Sequence, residues 1–146
     1  MSQALLQGCA VCFFQPFPDM DEFELFASMT PAREVGGDFY DFFMVDDDHL
    51  ALAVMEGNAF AEHEFLIGPG DSLFVYTDGV PEATDANGEL FGTERMMQAL
   101  NEKGDAAPDE LLPHVKSRVD EFVSGAPQFD DITMLGIKWL GKTQGR

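Results

Sequence analysis

The chain has 146 residues, enough for one domain with a hydrophobic core and too few for two domains of ordinary size. Hydrophobic residues make up 45% of it and charged residues 24%, values that argue against a disordered protein. Its 27 acidic and 8 basic residues give a net charge of −19, which disfavours nucleic acid and anionic membranes as partners and favours divalent cations or basic proteins.

The N-terminal region shows no targeting pattern. Its first basic residue is Arg33, so the positive segment of a signal peptide is missing, and no apolar run reaches the ~20 residues of a membrane helix. We therefore expect a cytoplasmic protein that does not insert into a membrane. Cys9 and Cys12 have the spacing of a redox pair or half a zinc site. Since no second cysteine pair follows, chance spacing or core packing explains them best.

Apolar and alternating segments predict four strands in the first half of the chain, at residues 23–30, 39–45, 50–55 and 72–77. Three aspartates at 46–48 separate the second and third segments, and we interpret them as a hairpin turn rather than a calcium site. Residues 68–71 (GPGD) predict another turn. Residues 85–89 (DANGE) favour a tight turn at Asn87-Gly88, because the glycine offset does not match a calcium-binding EF-hand.

The second half of the chain predicts two helices and a final strand. Thr93 is expected to cap the first helix, which stops before Gly104. Pro108 is expected to open the second, whose apolar residues are spaced to line one face, and Gly125 follows its end. The last strand is predicted at residues 132–140. Together these elements predict an α+β fold with antiparallel strands.

Aspartates occur at the ends of three predicted strands. Asp38 follows a glycine pair and precedes a strand, Asp78 follows a strand and precedes Gly79, and Asp130 and Asp131 precede the last strand. Carboxylates that converge at one edge of a sandwich form an oxygen-rich site suited to Mg²⁺ or Mn²⁺. Aspartate beside glycine is also common in turns, so the spacing alone leaves both interpretations open.

Three longer motifs carry a family resemblance: PAREVGGDFYDFF at 31–43, GPGDSLFVYTDGVPEATDANGELFG at 68–92 and FDDITMLGI at 129–137. They resemble, in the same order, the signatures of PPM-type metal-dependent Ser/Thr protein phosphatases of the bacterial SpoIIE/RsbU-like branch. The resemblance covers the chain from about Gln15 and implies a single domain over residues 1–146. It also implies an antiparallel β-sandwich flanked by helices.

The resemblance implies a chemistry as well as a fold. In this family two Mn²⁺ or Mg²⁺ ions lie between carboxylates and activate a water that attacks a phosphoserine or phosphothreonine, with no catalytic residue separate from the metal ligands. The partner would be a phosphoprotein substrate or a regulatory protein of a bacterial signalling pathway. Phosphorylated antagonists of anti-sigma factors are typical substrates of this branch.

Carried over by motif, the metal ligands would be Asp38, Asp78 and Asp130. Gly79 would permit close backbone packing, and Asp131 and Thr133 could support Asp130 without contacting the metal themselves. Gly57 could offer a backbone carbonyl. Arg33 could contact phosphate, although a surface arginine is the plainer interpretation.

The sequence departs from the family in its middle. The segment that would contain the bridging aspartate, several helices and further strands is missing near residues 56–62, and Glu56 stands where the bridging aspartate would be. A glutamate is longer by one methylene, whereas catalytic geometry tolerates only roughly 0.5 Å of error. The site could therefore hold one ion or none. The chain would then be a weak phosphatase or a catalytically inactive regulatory relative, a pseudophosphatase.

The same loss has a consequence for assembly. Without the missing helices and strands, apolar faces and sheet edges would be left uncovered. We therefore expect that a homodimer could supply the missing layer from a second copy.

Overall fold

A computed structural model describes residues 21–32, 37–44, 49–56 and 66–142. Within these residues the elements in chain order are β1 (Phe23–Thr30), β2 (Asp38–Met44), β3 (Leu50–Glu56), β4 (Ser72–Tyr76), α1 (Gly92–Glu102), α2 (Pro108–Val123) and β5 (Ile132–Trp139). The predicted α+β class is confirmed. Each strand lies within one residue of its predicted bounds, because alternation and β-branched or aromatic residues are local signals that the fold retains.

The strands form two antiparallel sheets. One has the order β1-β5-β4, so the last strand of the chain is central, and the other is the β2–β3 hairpin. Thr30 pairs with Ile132, and Tyr76 pairs with Met134, so the start of β5 lies beside the ends of both neighbours. This register brings chain segments far apart in sequence to one end of the sheet.

The core lies between the three-stranded sheet and the helices. Helix α2 packs on β1 and β5, and α1 packs on α2. The largest fully buried side chains include Met96, Leu112, Val115, Met134 and Leu135. Burying a side chain of this kind stabilises the fold by about 1.5–3 kcal/mol relative to exposing it. The first six residues of β5 are buried, so this strand is held from both faces.

The predicted start of the first helix was wrong. Helix α1 begins at Gly92 with Phe91 as its N-cap, there is no side-chain capping bond, and Thr93 lies inside the helix. The N–H of Phe91 donates to the carbonyl of Ala83 and that of Gly92 to Pro81, both at 2.8 Å. Tertiary backbone bonds therefore fix the entry to α1, and a threonine cap is not needed. Pro108 opens α2 as predicted.

Turns form at both predicted places within the described residues, although the second is centred on Ala86-Asn87 rather than on Asn87-Gly88. At residues 68–71 the N–H of Asp71 donates to the carbonyl of Gly68 at 2.9 Å. At residues 85–89 the carboxylate of Asp85 accepts the N–H groups of Asn87 (2.9 Å) and Glu89 (2.8 Å). The Glu89 N–H is the main cause that holds the pKa of Asp85 below its ordinary value. The carboxylate is thus engaged in shaping the turn.

Several predictions fall outside the described residues. These are the cysteine pair Cys9 and Cys12, the aspartate turn at 46–48, Arg33 and Gly57. Strand β3 ends at Glu56 and β4 begins at Ser72, so the family's long central segment is reduced here to residues 57–71. No helix in the described part of the chain is long and apolar enough to cross a membrane.

Candidate active site

The three signature segments meet at one end of the three-stranded sheet. The antiparallel pair Tyr76↔Met134 places the residues that follow β4 beside those that lead into β5. The N–H of Thr77 extends this pairing by donating to the carbonyl oxygen of Thr133 at 3.1 Å. Asp38, at the start of β2, is bonded to both threonines, so all three segments share one network.

The carboxylate of Asp38 is held by two hydroxyl groups. The Oγ1 atoms of Thr77 (2.7 Å) and Thr133 (2.6 Å) both donate to its Oδ2. Thr77 is 4% exposed and Thr133 is fully buried, so neither hydroxyl exchanges readily with water. Hydrogen bonds to an ionised acceptor are the stronger kind, each contributing about 1.5–3 kcal/mol. They fix the direction in which this carboxylate faces the end of the sheet.

The carboxylate of Asp131 anchors the backbone that leads to Asp38. Its Oδ1 accepts the N–H of Ala32 (2.7 Å), and its Oδ2 accepts those of Gly37 (2.5 Å) and Asp38 (3.3 Å). Burial acts to raise the pKa of Asp131, but the N–H donors of Ala32, Asp38 and Gly37 outweigh it and hold the pKa below its ordinary value. One buried side chain therefore ties the third signature to Ala32, Gly37 and Asp38 of the first.

Gly79 allows the second signature to approach the third. A Cβ atom at this position would lie 1.9 Å from the carbonyl oxygen of Asp131 and 2.8 Å from its carbonyl carbon. Both distances are far below van der Waals contact, and the atoms belong to the backbone, which cannot rotate away. Only glycine lets the chain turn here while Asp78 remains beside the network.

Asp78 and Asp130 have different surroundings. The Oδ1 atom of Asp78 is buried and has no hydrogen-bond partner in the described part of the chain. A buried carboxylate oxygen without a partner costs free energy unless something compensates its charge. Asp130 is exposed, and its Oδ1 accepts the N–H of Asp131 at 2.8 Å. The unpaired oxygen of Asp78 is thus the feature that calls for a ligand.

With this geometry in place, comparison with known proteins identifies the family. The sequence model for Stage II sporulation protein E (SpoIIE) matches residues 39–140, well over half of the chain. The chain belongs to the SpoIIE family. The PPM phosphatase-like domain predicted from the three motifs is confirmed at this level, in a form with a shortened centre.

Two similar proteins are each matched over only part of their length. Protein IcfG of Synechocystis sp. is 36% identical over 87 residues, which are 60% of this chain and 14% of that protein. The SiaA-PP2C domain of Pseudomonas aeruginosa is 21% identical with a TM-score of 0.47, over 64% of this chain and 34% of that one. The chain therefore spans about a seventh of the one and a third of the other.

PPM phosphatases use Mn²⁺ or Mg²⁺, and the SpoIIE-type site can be tested against that requirement. Asp38 and Asp78 offer carboxylate oxygens, the donors that hard divalent cations prefer, and one of these oxygens is buried without a partner. Within the described residues, however, no group of three or more His, Cys, Asp or Glu side chains could hold a metal ion. The described carboxylates of Asp38 and Asp78 are therefore the type of donor that one such cation needs. They are too few for a two-ion site.

The family resemblance also assigned roles to residues other than the three aspartates. Glu56 is directly opposite Asp38 in the backbone register of the β2–β3 hairpin. The side chains of Asp131 and Thr133 bond to the first signature, and only the backbone N–H of Asp131 donates to the carboxylate of Asp130. Arg33 and Gly57, assigned to phosphate and metal by resemblance, are outside the described residues.

Sequence reasoning missed Thr77 as a site residue. Besides donating to Asp38, its Oγ1 accepts the N–H of Thr133 at 3.3 Å. A signal was present, since Thr77 ends the apolar run SLFVYT directly before Asp78 and a hydroxyl there can reach across to the next strand. Its hydrogen-bond partner could not be predicted from neighbouring residues, because Asp38 is 39 positions away in the sequence.

Loss of the Thr77 hydroxyl should destabilise the domain. Thr77→Val keeps the shape but leaves Asp38 and the Thr133 N–H each without one partner, so we expect a loss of about 1–3 kcal/mol in the free energy of unfolding. Thr77→Ser, which restores the hydroxyl, should recover most of it. Urea denaturation without metal measures both. Thr84→Val is the control, because that hydroxyl donates only to a nearby exposed carbonyl, and an equal loss there would contradict the assigned role.

Proposed function

We propose that this SpoIIE-type domain hydrolyses phosphoserine or phosphothreonine in a protein substrate, at a low rate, with a single divalent cation bound by Asp38 and Asp78. The observation that carries the proposal is the buried Oδ1 of Asp78, which has no partner among the described residues. A cation would compensate the charge that the fold otherwise leaves unpaired. When bound, Mn²⁺ or Mg²⁺ would lower the pKa of a water and neutralise charge on the phosphoryl group.

The chain's own residues prepare the site for this chemistry. The hydroxyls of Thr77 and Thr133 orient Asp38, so that its carboxylate is preorganised before anything binds. Asp131 holds the backbone of Gly37 and Asp38 in place. Preorganised carboxylates cost no reorganisation at the moment of reaction, which is a general source of catalytic power.

The low rate follows from the number of donors. A two-ion site needs bridging carboxylates, and the described residues contain no group of three acidic, histidine or cysteine side chains that could hold a metal ion. By family resemblance, Glu56, which is opposite Asp38 in the hairpin, stands in place of a shorter aspartate. A single cation would supply part of the charge neutralisation of the two-ion mechanism, and the rate should fall accordingly.

The decisive variant is Asp78→Asn. With p-nitrophenyl phosphate as substrate, we expect Mn²⁺-dependent hydrolysis by the natural protein. The variant should hydrolyse it at least roughly 10–100-fold more slowly, because loss of a group that only supports a metal ligand already lowers metal affinity or activity by that factor. Without metal, Asp78→Asn should be as stable as the natural protein or more stable by about 1 kcal/mol, because it removes an unpaired buried charge.

The matched control is Asp105→Asn, which removes the same charge from an exposed position away from the site. It should change neither the rate of hydrolysis nor the increase in the free energy of unfolding that bound Mn²⁺ is expected to cause. Metal-independent hydrolysis, or equal losses in both variants, would contradict the proposed site.

A second candidate function is that of a regulatory pseudophosphatase. It is favoured by the same shortage of metal donors among the residues that the structure describes. The experiment above separates the two candidates. Stabilisation by Mn²⁺ that Asp78→Asn abolishes, without turnover of any phosphoester, would support a cation-binding regulatory domain.

The partners belong to the same proposal. We propose a phosphorylated protein of a bacterial signalling pathway as the partner, with antagonists of anti-sigma factors as the leading class by family resemblance. We further propose a cytoplasmic homodimer, in which a second copy covers surfaces that the shortened centre exposes.

A further inference from the structure

A cavity of about 310 Å³ lies beside the candidate active site. It is formed by three parts of the chain: residues 79 and 82–84 after β4, the C-terminal end of α2, and residues 125–130 with Ile132 at the start of β5. Gly79 and Asp130 line the cavity and also belong to the site. A substrate held at Asp78 could therefore extend directly into it.

The walls of the cavity are apolar and its rim is acidic. Val123, Ala126 and Pro127 contribute accessible apolar surface, whereas Val119 and Ile132 are buried beneath the lining. Three exposed carboxylates, those of Glu82, Asp120 and Asp130, are among the lining residues, whereas none of the lining residues is Lys, Arg or His. Asp120 is paired with Lys116 at 2.6 Å, which leaves Glu82 and Asp130 as the carboxylates without a described cationic partner.

Helix α2 adds to the negative potential. Residues 123–125 at its C-terminal end belong to the lining or adjoin it, and its last turn contains no basic residue. The C-terminal end of a helix carries a partial negative charge that favours cations. The rim and the helix end therefore act in the same direction.

The shape and chemistry together select one kind of side chain. A long aliphatic stem with a cationic end can bury its methylenes against Val123 and Ala126 while its charge stays near the carboxylates. Phe129, another lining residue, is 72% exposed, and an exposed aromatic ring is a platform on which a guanidinium group stacks better than an ammonium group.

We infer that this cavity binds an arginine side chain of the phosphoprotein substrate, close in sequence to the phosphorylated residue. The inference rests on the proposed function, because it takes the phosphorylated residue to lie at Asp78. It assigns to Glu82 and Phe129 a role in substrate selection and none in the chemical step. The overall charge of −19 would assist the approach of such a basic segment.

Binding can be tested without turnover. The probe is N-acetyl-arginine amide, titrated into the full-length ¹⁵N-labelled chain, with the neutral isostere N-acetyl-citrulline amide as comparison. We expect saturable shifts of the backbone amide signals of residues 82–84 and 128–132, and binding at least about 5-fold weaker for citrulline. Glu82→Gln should weaken arginine binding by about 2–5-fold, the usual effect of one exposed ion pair.

Glu110→Gln, at the opposite end of α2, is the matched control and should leave the titration unchanged. Shifts scattered over the acidic surface, equal binding of citrulline, or no effect of Glu82→Gln would overturn the inference. Equal binding of N-acetyl-lysine amide would overturn the preference for arginine. The titration is repeated with Asp78→Asn. Intact arginine binding in this variant would show that the cavity binds arginine independently of phosphatase activity. Failure of the proposed function can then be distinguished from failure of the cavity to bind arginine.

Discussion

Gly79→Ala should strongly destabilise the domain. A Cβ atom at this position would lie 1.9 Å from the carbonyl oxygen of Asp131, and both segments are backbone that the sheet register holds in place. The clash can be relieved only by moving the Asp78 turn away from β5, which disrupts the Thr77–Thr133 bond as well. We expect a loss of at least about 4 kcal/mol in the free energy of unfolding, the range reached by severe backbone and packing conflicts.

Chemical denaturation followed by circular dichroism measures this loss. Because small domains have stabilities of only about 5–15 kcal/mol, complete loss of the cooperative transition would equally bear out the prediction. Gly104→Ala is the matched control, since a Cβ there would meet only two carbonyl oxygens at an ordinary 3.9 Å. A Gly79→Ala variant as stable as Gly104→Ala would contradict the close approach of the two signatures.

The second large effect is expected from Asp131→Ala. This change removes the acceptor of three backbone N–H groups, those of Ala32, Gly37 and Asp38. A buried donor left without a partner costs about 1–3 kcal/mol, and partial access of water reduces the total, so we expect a loss of about 2–4 kcal/mol. The start of β2 should loosen with it, because Asp131 accepts the N–H groups of Gly37 and Asp38.

Asp131→Asn distinguishes the anchoring role from a general effect of charge. Its amide keeps one acceptor oxygen and turns an NH₂ group toward the remaining N–H donors, so the loss should be intermediate. Asp130→Asn, measured without metal, is the control, because that neighbouring carboxylate is exposed and accepts one N–H group. Equal stability of the Asp131→Ala and Asp130→Asn variants would show that the anchor contributes nothing.

A local readout complements the measurement of stability. Hydrogen exchange of the β2 amides should speed up in Asp131→Ala more than exchange of the α2 amides, which pack elsewhere in the core. Uniform acceleration of both would indicate that the substitution acts through global stability alone.

Much of the architecture could be predicted from the sequence, because strands and helices leave local patterns. Alternation marked β1, aromatic and β-branched runs marked β2 and β4, and Pro108 marked the start of α2. The exception was Thr93, which lies inside α1. The helix begins earlier than a threonine cap would place it, because the N–H groups of Phe91 and Gly92 donate to carbonyls of the preceding loop.

The candidate site was only partly predictable. Three motifs were sufficient to assign the family and to single out Asp38, Asp78 and Asp130, since each is a contiguous stretch of sequence. They did not reveal that Thr77 and Thr133 share one oxygen of Asp38. Nor did they reveal that Asp78 keeps an oxygen buried without a partner in the described part of the chain.

The sequence by itself determined the element types, the acidic charge and the membership of the SpoIIE family, because these depend on composition and on neighbours a few residues apart. The tertiary structure alone decided which residues support the carboxylates, how close Gly79 comes to Asp131, and where the cavity opens beside Asp130. Those contacts join residues up to 99 positions apart. They follow from the antiparallel register of β5 between β1 and β4, and no local pattern encodes that register.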